Sequence, residues 1–185
     1  MVAMLAFGGT FAYFTANAGN KSGSIKTGTI KLTSEATAIT LTGNTSALLP
    51  GESVSSSVTY KDESDRGTYV FFKIDTTSLP ADQFELTEVK IGSETLTKST
   101  ETDYTDVYVY ENSQANTGAD KETRSDVVKS AELVVSFKVT FKAETPNGTD
   151  DANMGKTYTV TISSCSVQHA ELTVAQALAA SAFKA

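Results

Sequence analysis

The sequence predicts an all-β protein, a two-sheet sandwich of jelly-roll type with short helical insertions, preceded by an apolar N-terminal strand and closed by an Ala-rich helix. Three observations lead there. Apolar residues alternate at period 2 far more often than at helical spacing, so most segments would bury one side only. Turn chemistry such as Pro50-Gly51 and the Asn- and Asp-rich stretches recurs between these runs and divides the chain into about eight short strands. Ser and Thr crowd every segment, Trp is absent, and apolar residues make up only 39% of the 185, the composition of sheets with one wetted face.

The elements follow in order. "SIKTGTIKLTS" alternates loosely through Ile25, Thr27, Thr29 and Lys31, with Gly28, Ile30 and Leu32 toward the other side, and "TAITLTG" continues through Ile39 and Leu41. "LLPGES" breaks the chain. "SVSSSVTYKD" and "GTYVFFKIDT" then read as two strands joined by the polar loop 62–67. "SLPADQFE" predicts one helical turn entered through Ser78 and Pro80, and "ELTEVKIGSETL" and "YTDVYVYE" predict further short strands. The polar stretch "NSQANTGADKETRSDVVKS" reads as a surface insertion with a short helix over 120–129.

The clearest alternation is "LVVSFKVTFK", which sets Leu133, Val135, Phe137, Val139 and Phe141 on one face. "KTYTVTIS" repeats it through Tyr158, Val160 and Ile162, and the intervening "NGTDDANMG" predicts a hairpin between the two. "LTVAQALAASAFKA" predicts a terminal helix with Leu172, Ala175, Ala179, Ala182 and Phe183 on one stripe. The organisation expected is a β-sandwich domain over 21–170 flanked by segments 1–20 and 171–185.

Composition narrows the function. With 15 basic and 22 acidic side chains the net charge is −7, which repels phosphate backbones and anionic headgroups and argues against nucleic acid as a partner. Cys165 is the single cysteine, so an internal disulfide framework and multi-Cys metal sites are excluded. Its strand setting, with no basic neighbour to activate a thiolate, favours a small buried side chain. His169 is the single histidine, and without a Gly-x-Ser-x-Gly elbow it reads as a structural residue rather than a triad base. The acidic stretches "KDESDRG" and "NGTDDANMG" lack Ca²⁺-loop spacing and read as solvated loop charge. The sequons at Asn20, Asn44 and Asn147 matter only in a host that glycosylates secreted proteins. The sequence therefore predicts no enzyme: no catalytic residues, no metal, no cofactor and no small-molecule substrate.

The N-terminal run "AFGGTFAYFTANAGN" carries the remaining signal. It is too short for a membrane span, which needs about 20 apolar residues. As a secretion signal it offers Ala12 before Tyr13 as a cleavage point, with Thr10 at the minus-three position, but it lacks a basic leading region. As a strand it is one-sided, with Leu5, Phe7, Phe11 and Tyr13 on one face and Ala6, Gly8, Thr10 and Ala12 on the other.

"GGTFAYFTANAGNKSGSIKTGTIKLT" followed by "LLPGESVSSSVTYKDESDRGTYVFFKI" resembles the opening of the TasA/camelysin family of secreted bacterial matrix proteins. The matching positions are Gly8, Gly9, Thr10, Phe11, Ala12 and Phe14, then Gly28, Thr29, Ile30 and Leu32, then Leu48, Pro50, Gly51 and Glu52. "YTVTISSCSVQHAE" is similar to that family's last core strand, with Gln168 at its usual Gln. The match covers roughly the first 75 residues and residues 131–170; the middle and the Ala-rich tail depart from it.

The resemblance implies a jelly-roll subunit, secreted to the cell surface or matrix, that polymerises head to tail with copies of itself by donating its N-terminal strand, as certain archaeal bundling pilins do. Leu5, Phe7, Phe11 and Tyr13, with Phe14 beside them, would be the polymerisation residues, and other matrix components would be further partners. It also implies cleavage near Ala12, leaving Tyr13 first, against the reading in which the apolar run is kept as the donor strand. The family name carries the alternative of a camelysin-like secreted metallopeptidase, for which this chain offers neither a His-Glu-x-x-His motif nor a second His. A monomeric surface adhesion or binding sandwich is the third reading.

Overall fold

A computed structural model of the chain describes residues 30–34, 40–42, 48–115, 126–142, 158–181 and 183. Two short strands, β1 (Leu32–Ser34) and β2 (Thr40–Thr42), both pair antiparallel with β3 (Ser53–Asp62), β1 against its last residues and β2 against Ser55 to Ser57. The predicted break before β3 is a tight turn: Glu52 N–H donates to the Leu49 carbonyl at 2.9 Å, and Gly51 takes φ 89°, a conformation that Gly reaches without strain after Pro.

After β3 the chain changes sheet. β4 (Thr68–Asp75) lies between β12 (Thr161–Gln168) and β8 (Val107–Asn112), while β3 lies beside β11 (Glu132–Phe141), which in turn pairs with β5 (Phe84–Ile91). β5 turns through Gly92-Ser93 into β6 (Glu94–Thr95). Leu96 is buried where the chain crosses over to β7 (Thr97–Lys98), which edges β8. β9 (Gln114–Ala115) and β10 (Asp126–Val127) form a separate two-stranded ribbon. One helix, α1 (Val174–Ala179), follows β12.

The all-β prediction holds: two antiparallel sheets, ordered β1-β3-β11-β5-β6 (with β2 also on β3) and β12-β4-β8-β7, enclose a core. Val58, Tyr60, Leu133, Val135 and Phe137 from the first sheet meet Val70, Phe72, Ile74, Tyr108 and Tyr110 from the second, with the rings of Tyr60 and Phe72 5.4 Å apart. The predicted face of β11 is the buried one through Val139, and Phe141 is half-buried. The second sheet is covered on its far side too, where Tyr69, Phe71 and Val107 pack under Tyr104, Ala177 and Leu178. Two covered faces explain why "TYVFF" runs apolar without alternating.

Three expectations need correction. "LVVSFKVTFK" and "TVTIS" do not form a hairpin, because β11 belongs to the first sheet and β12 to the second. In the expected helix over 120–129, residues 120–125 lie outside the described ones, and Asp126 and Val127 are strand, paired with Ala115 and Gln114. At the C-terminus the helix has six residues, and its buried positions are Ala177 and Leu178, with Ser181 beyond; of the predicted stripe Leu172 and Phe183 pack on this layer, Ala175 and Ala179 are exposed, and Ala182 lies outside the described residues. A capping box between Thr173 and Gln176 sets this phase by fixing where the helix starts. "SLPADQFE" gives the single helical turn expected of it, with Gln83 and Phe84 N–H both donating to the Pro80 carbonyl.

A bulge in β5 sets two residues, Glu88 and Val89, opposite Phe137 of β11, and Glu88 takes φ 53°, a region rarely adopted by a residue with a Cβ. Its carboxylate lies 2.6 Å from Lys138 Nζ, whose hydrogen bond and charge hold it below the usual carboxylate range.

Tyr60, Tyr69 and Tyr108 are pushed above the ordinary tyrosine value, chiefly by burial; a hydrogen bond with Ser164 opposes this at Tyr60, and the Glu111 charge adds to it at Tyr69. Raised folded values mean that the stability these rings contribute is whole below the unfolded value of about 10 and is lost as pH climbs through the folded values. The urea midpoint is accordingly expected to fall above pH ~10, with tyrosinate absorbance developing later in folded than in unfolded protein.

Candidate functional site

Leu5, Phe7, Phe11, Tyr13 and Phe14, with the cleavage point at Ala12 and Tyr13, lie outside the described residues. The described sandwich presents the surface that such a segment could meet. β12 has a strand partner, β4, along one side, and no strand occupies its other side among the described residues. None of its eight residues is fully buried, whereas Thr68 to Phe72 of β4 are buried without a break. Val160 and Ile162 carry the inter-sheet core to this edge, and Cys165 and Val167 carry the layer beneath α1 to the same edge. Both apolar layers thus run out at one strand. Among the described residues, such an edge offers backbone donors and acceptors beside partly buried apolar side chains.

A second feature lies where β3 ends. Asp62 is 1% exposed, because it continues the inward series of Ser56, Val58 and Tyr60. Its reading as solvated loop charge is therefore wrong, and the parity of the strand was the signal that could have shown it. Oδ1 accepts the Ser64 N–H at 3.0 Å, and Oδ2 accepts from Thr68 Oγ1 and from Asn112 Nδ2, both at 2.7 Å. Thr68 and Asn112 are fully buried and face each other across β4 and β8. Ser130 completes the group, its N–H donating to Asn112 Oδ1 at 2.8 Å and its carbonyl accepting from Nδ2 at 2.9 Å. One carboxylate so joins strands of both sheets.

His169 sits close by. Its Nε2 lies 3.1 Å from Glu111 and its Nδ1 3.4 Å from Asp126, its ring packs on Tyr69, and its N–H donates to the Gly67 carbonyl. The hydroxyl of Ser113 donates to Asp126 rather than to the imidazole, so the order needed to activate a nucleophile is not formed by these groups. Cys165 stands opposite Phe71, half-buried toward α1. Among the described residues no cluster of three or more His, Cys, Asp or Glu is placed to hold a metal ion. No helix among them is long and apolar enough to cross a membrane.

Gly67 packs against this group so closely that a Cβ there would overlap Asp126 Oδ2 and Ser113 Oγ. Gly67→Ala is expected to cost about 1–3 kcal/mol through forced repacking, readable as a lower urea midpoint with an unchanged slope.

The fold defines an all-β sandwich in which, among the described residues, β12 pairs with a strand on one side only. Comparison with known proteins adds no family to that class: no family model matches the sequence, and no curated protein matches it.

Proposed function

We propose that the protein is the subunit of an extracellular filament, of the TasA/camelysin kind, in which residues 5–14 of one copy add as a strand to β12 of the next. The observation that carries this reading is the state of β12, among the described residues an eight-residue edge strand at which two apolar layers end together. Strand addition would supply backbone hydrogen bonds along the edge and side chains to both layers at once. Leu5, Phe7, Phe11 and Tyr13 would extend the inter-sheet layer, and the small residues between them would lie on the side of α1. A donor at one end and an acceptor elsewhere form a contact that does not close on itself, so it propagates.

The test uses a synthetic peptide of residues 1–16 added to the purified full-length chain before assembly. Filaments in negative stain without peptide, and their shortening or loss with peptide in excess, support the reading. A single monomeric species at every concentration overturns it and favours the monomeric binding sandwich.

A further inference from the structure

We propose that Thr68 and Asn112 form a covalent ester cross-link between β4 and β8 in a reaction that the protein carries out on itself. The buried group at Asp62 holds what this chemistry requires. The nucleophile is the Thr68 hydroxyl, 2.7 Å from Asp62 Oδ2, the carboxylate oxygen that takes its proton. The electrophile is the carboxamide carbon of Asn112, the residue directly opposite Thr68 in the sheet. Its Oδ1 already accepts the Ser130 N–H at 2.8 Å, a donor placed where negative charge would develop. Its Nδ2, the leaving nitrogen, donates at 2.7 Å to the same Asp62 oxygen.

The steps balance without any other reactant. Thr68 Oγ1 attacks the Asn112 side-chain carbon while its proton passes to Asp62, giving a tetrahedral adduct whose oxyanion is held by Ser130 N–H. Asp62 then returns the proton to Nδ2, the C–N bond breaks, ammonia leaves, and the carboxylate is restored. The new bond joins Thr68 Oγ1 to the side-chain carbonyl of Asn112. With Thr68 and Asn112 at 0% exposure and Asp62 at 1%, water that would hydrolyse the ester is kept out. The other oxygen of Asp62 is tied to the Ser64 N–H at 3.0 Å, which fixes the carboxylate between nucleophile and leaving group. The bond would staple two strands of one subunit, and it stands independently of how subunits assemble.

Intact-mass spectrometry of the denatured full-length chain, followed by peptide mapping, tests this. The expected result is a chain lighter than its sequence by one ammonia, yielding a linked pair of peptides that contain Thr68 and Asn112. Thr68→Val, which keeps the side-chain shape, and Asn112→Asp are each expected to show the full mass of their sequences. A wild-type mass equal to that of its sequence after prolonged incubation overturns the proposal. So does an ammonia loss that persists in Thr68→Val, since a ring closed within the Asn112-Ser113 backbone gives the same mass change. If Thr68→Val fails to fold, the wild-type digest decides alone, because unlinked peptides at these two positions refute the cross-link.

Discussion

Deletion of residues 1–16 is expected to abolish filaments while leaving a folded sandwich. The largest effect of the assembly reading falls here, because propagation is all-or-none: a subunit without a donor occupies no neighbour's edge. The core that holds the sandwich together is made by β3, β4, β5, β8 and β11, all of which begin after residue 50, so the truncated chain retains its inter-sheet packing. Negative-stain microscopy of both forms, with circular dichroism to verify the sheet signal, measures it. Filaments from both forms would move the contact elsewhere, to the outward face of the first sheet or to α1. A truncated chain should also act as a terminator, since its β12 can still receive a strand from an intact neighbour, and mixing the two forms should shorten filaments in proportion to the truncated fraction.

Asp62→Ala is expected to destabilise the subunit by roughly 3–5 kcal/mol. The figure comes from what is left behind rather than from what is removed. Three donors, the Ser64 N–H, the Thr68 hydroxyl and the Asn112 amide, point at this carboxylate in a region without solvent, and each buried donor without an acceptor costs about 1–3 kcal/mol, partly recovered by local rearrangement. Asp62→Asn should cost less, because one oxygen remains to accept while the new NH₂ faces donors. Urea unfolding of the three proteins gives the comparison, and equal midpoints for Ala and wild type would show that the group contributes nothing to the fold. The chemical proposal makes a separate demand on the same residue, since either substitution removes the proton carrier and should leave the chain at the mass of its sequence even where it still folds.

Alternation made much of the fold legible. Leu133, Val135, Phe137 and Val139 were placed on the core face because a strand's side chains alternate, and that geometry needs no knowledge of the partner. Leu-Pro-Gly-Glu marked a turn for a similarly local reason, Pro fixing one torsion and Gly permitting the next. Sheet membership was not legible. The hairpin expected of β11 and β12 fails although both runs alternate cleanly, because nothing in a strand's own pattern says which sheet it joins.

The group at Asp62 was within partial reach. Its parity with Val58 and Tyr60 pointed inward, but its acidic neighbours suggested solvent, and Asn112 and Ser130 come from segments far along the chain. The phase of the C-terminal helix was missed by propensity alone, since an Ala-rich segment can bury any stripe until a cap fixes its start.

The sequence by itself determined the all-β class, the turn at Pro50-Gly51 and the inward face of β11, all of which follow from torsions and from side-chain period within a few residues. Only the tertiary structure decided that β12 stands at the edge of its sheet among the described residues and that Asp62, Thr68 and Asn112 meet in a dry interior. Those are relations between strands distant in the chain, set by how two sheets exclude water between them.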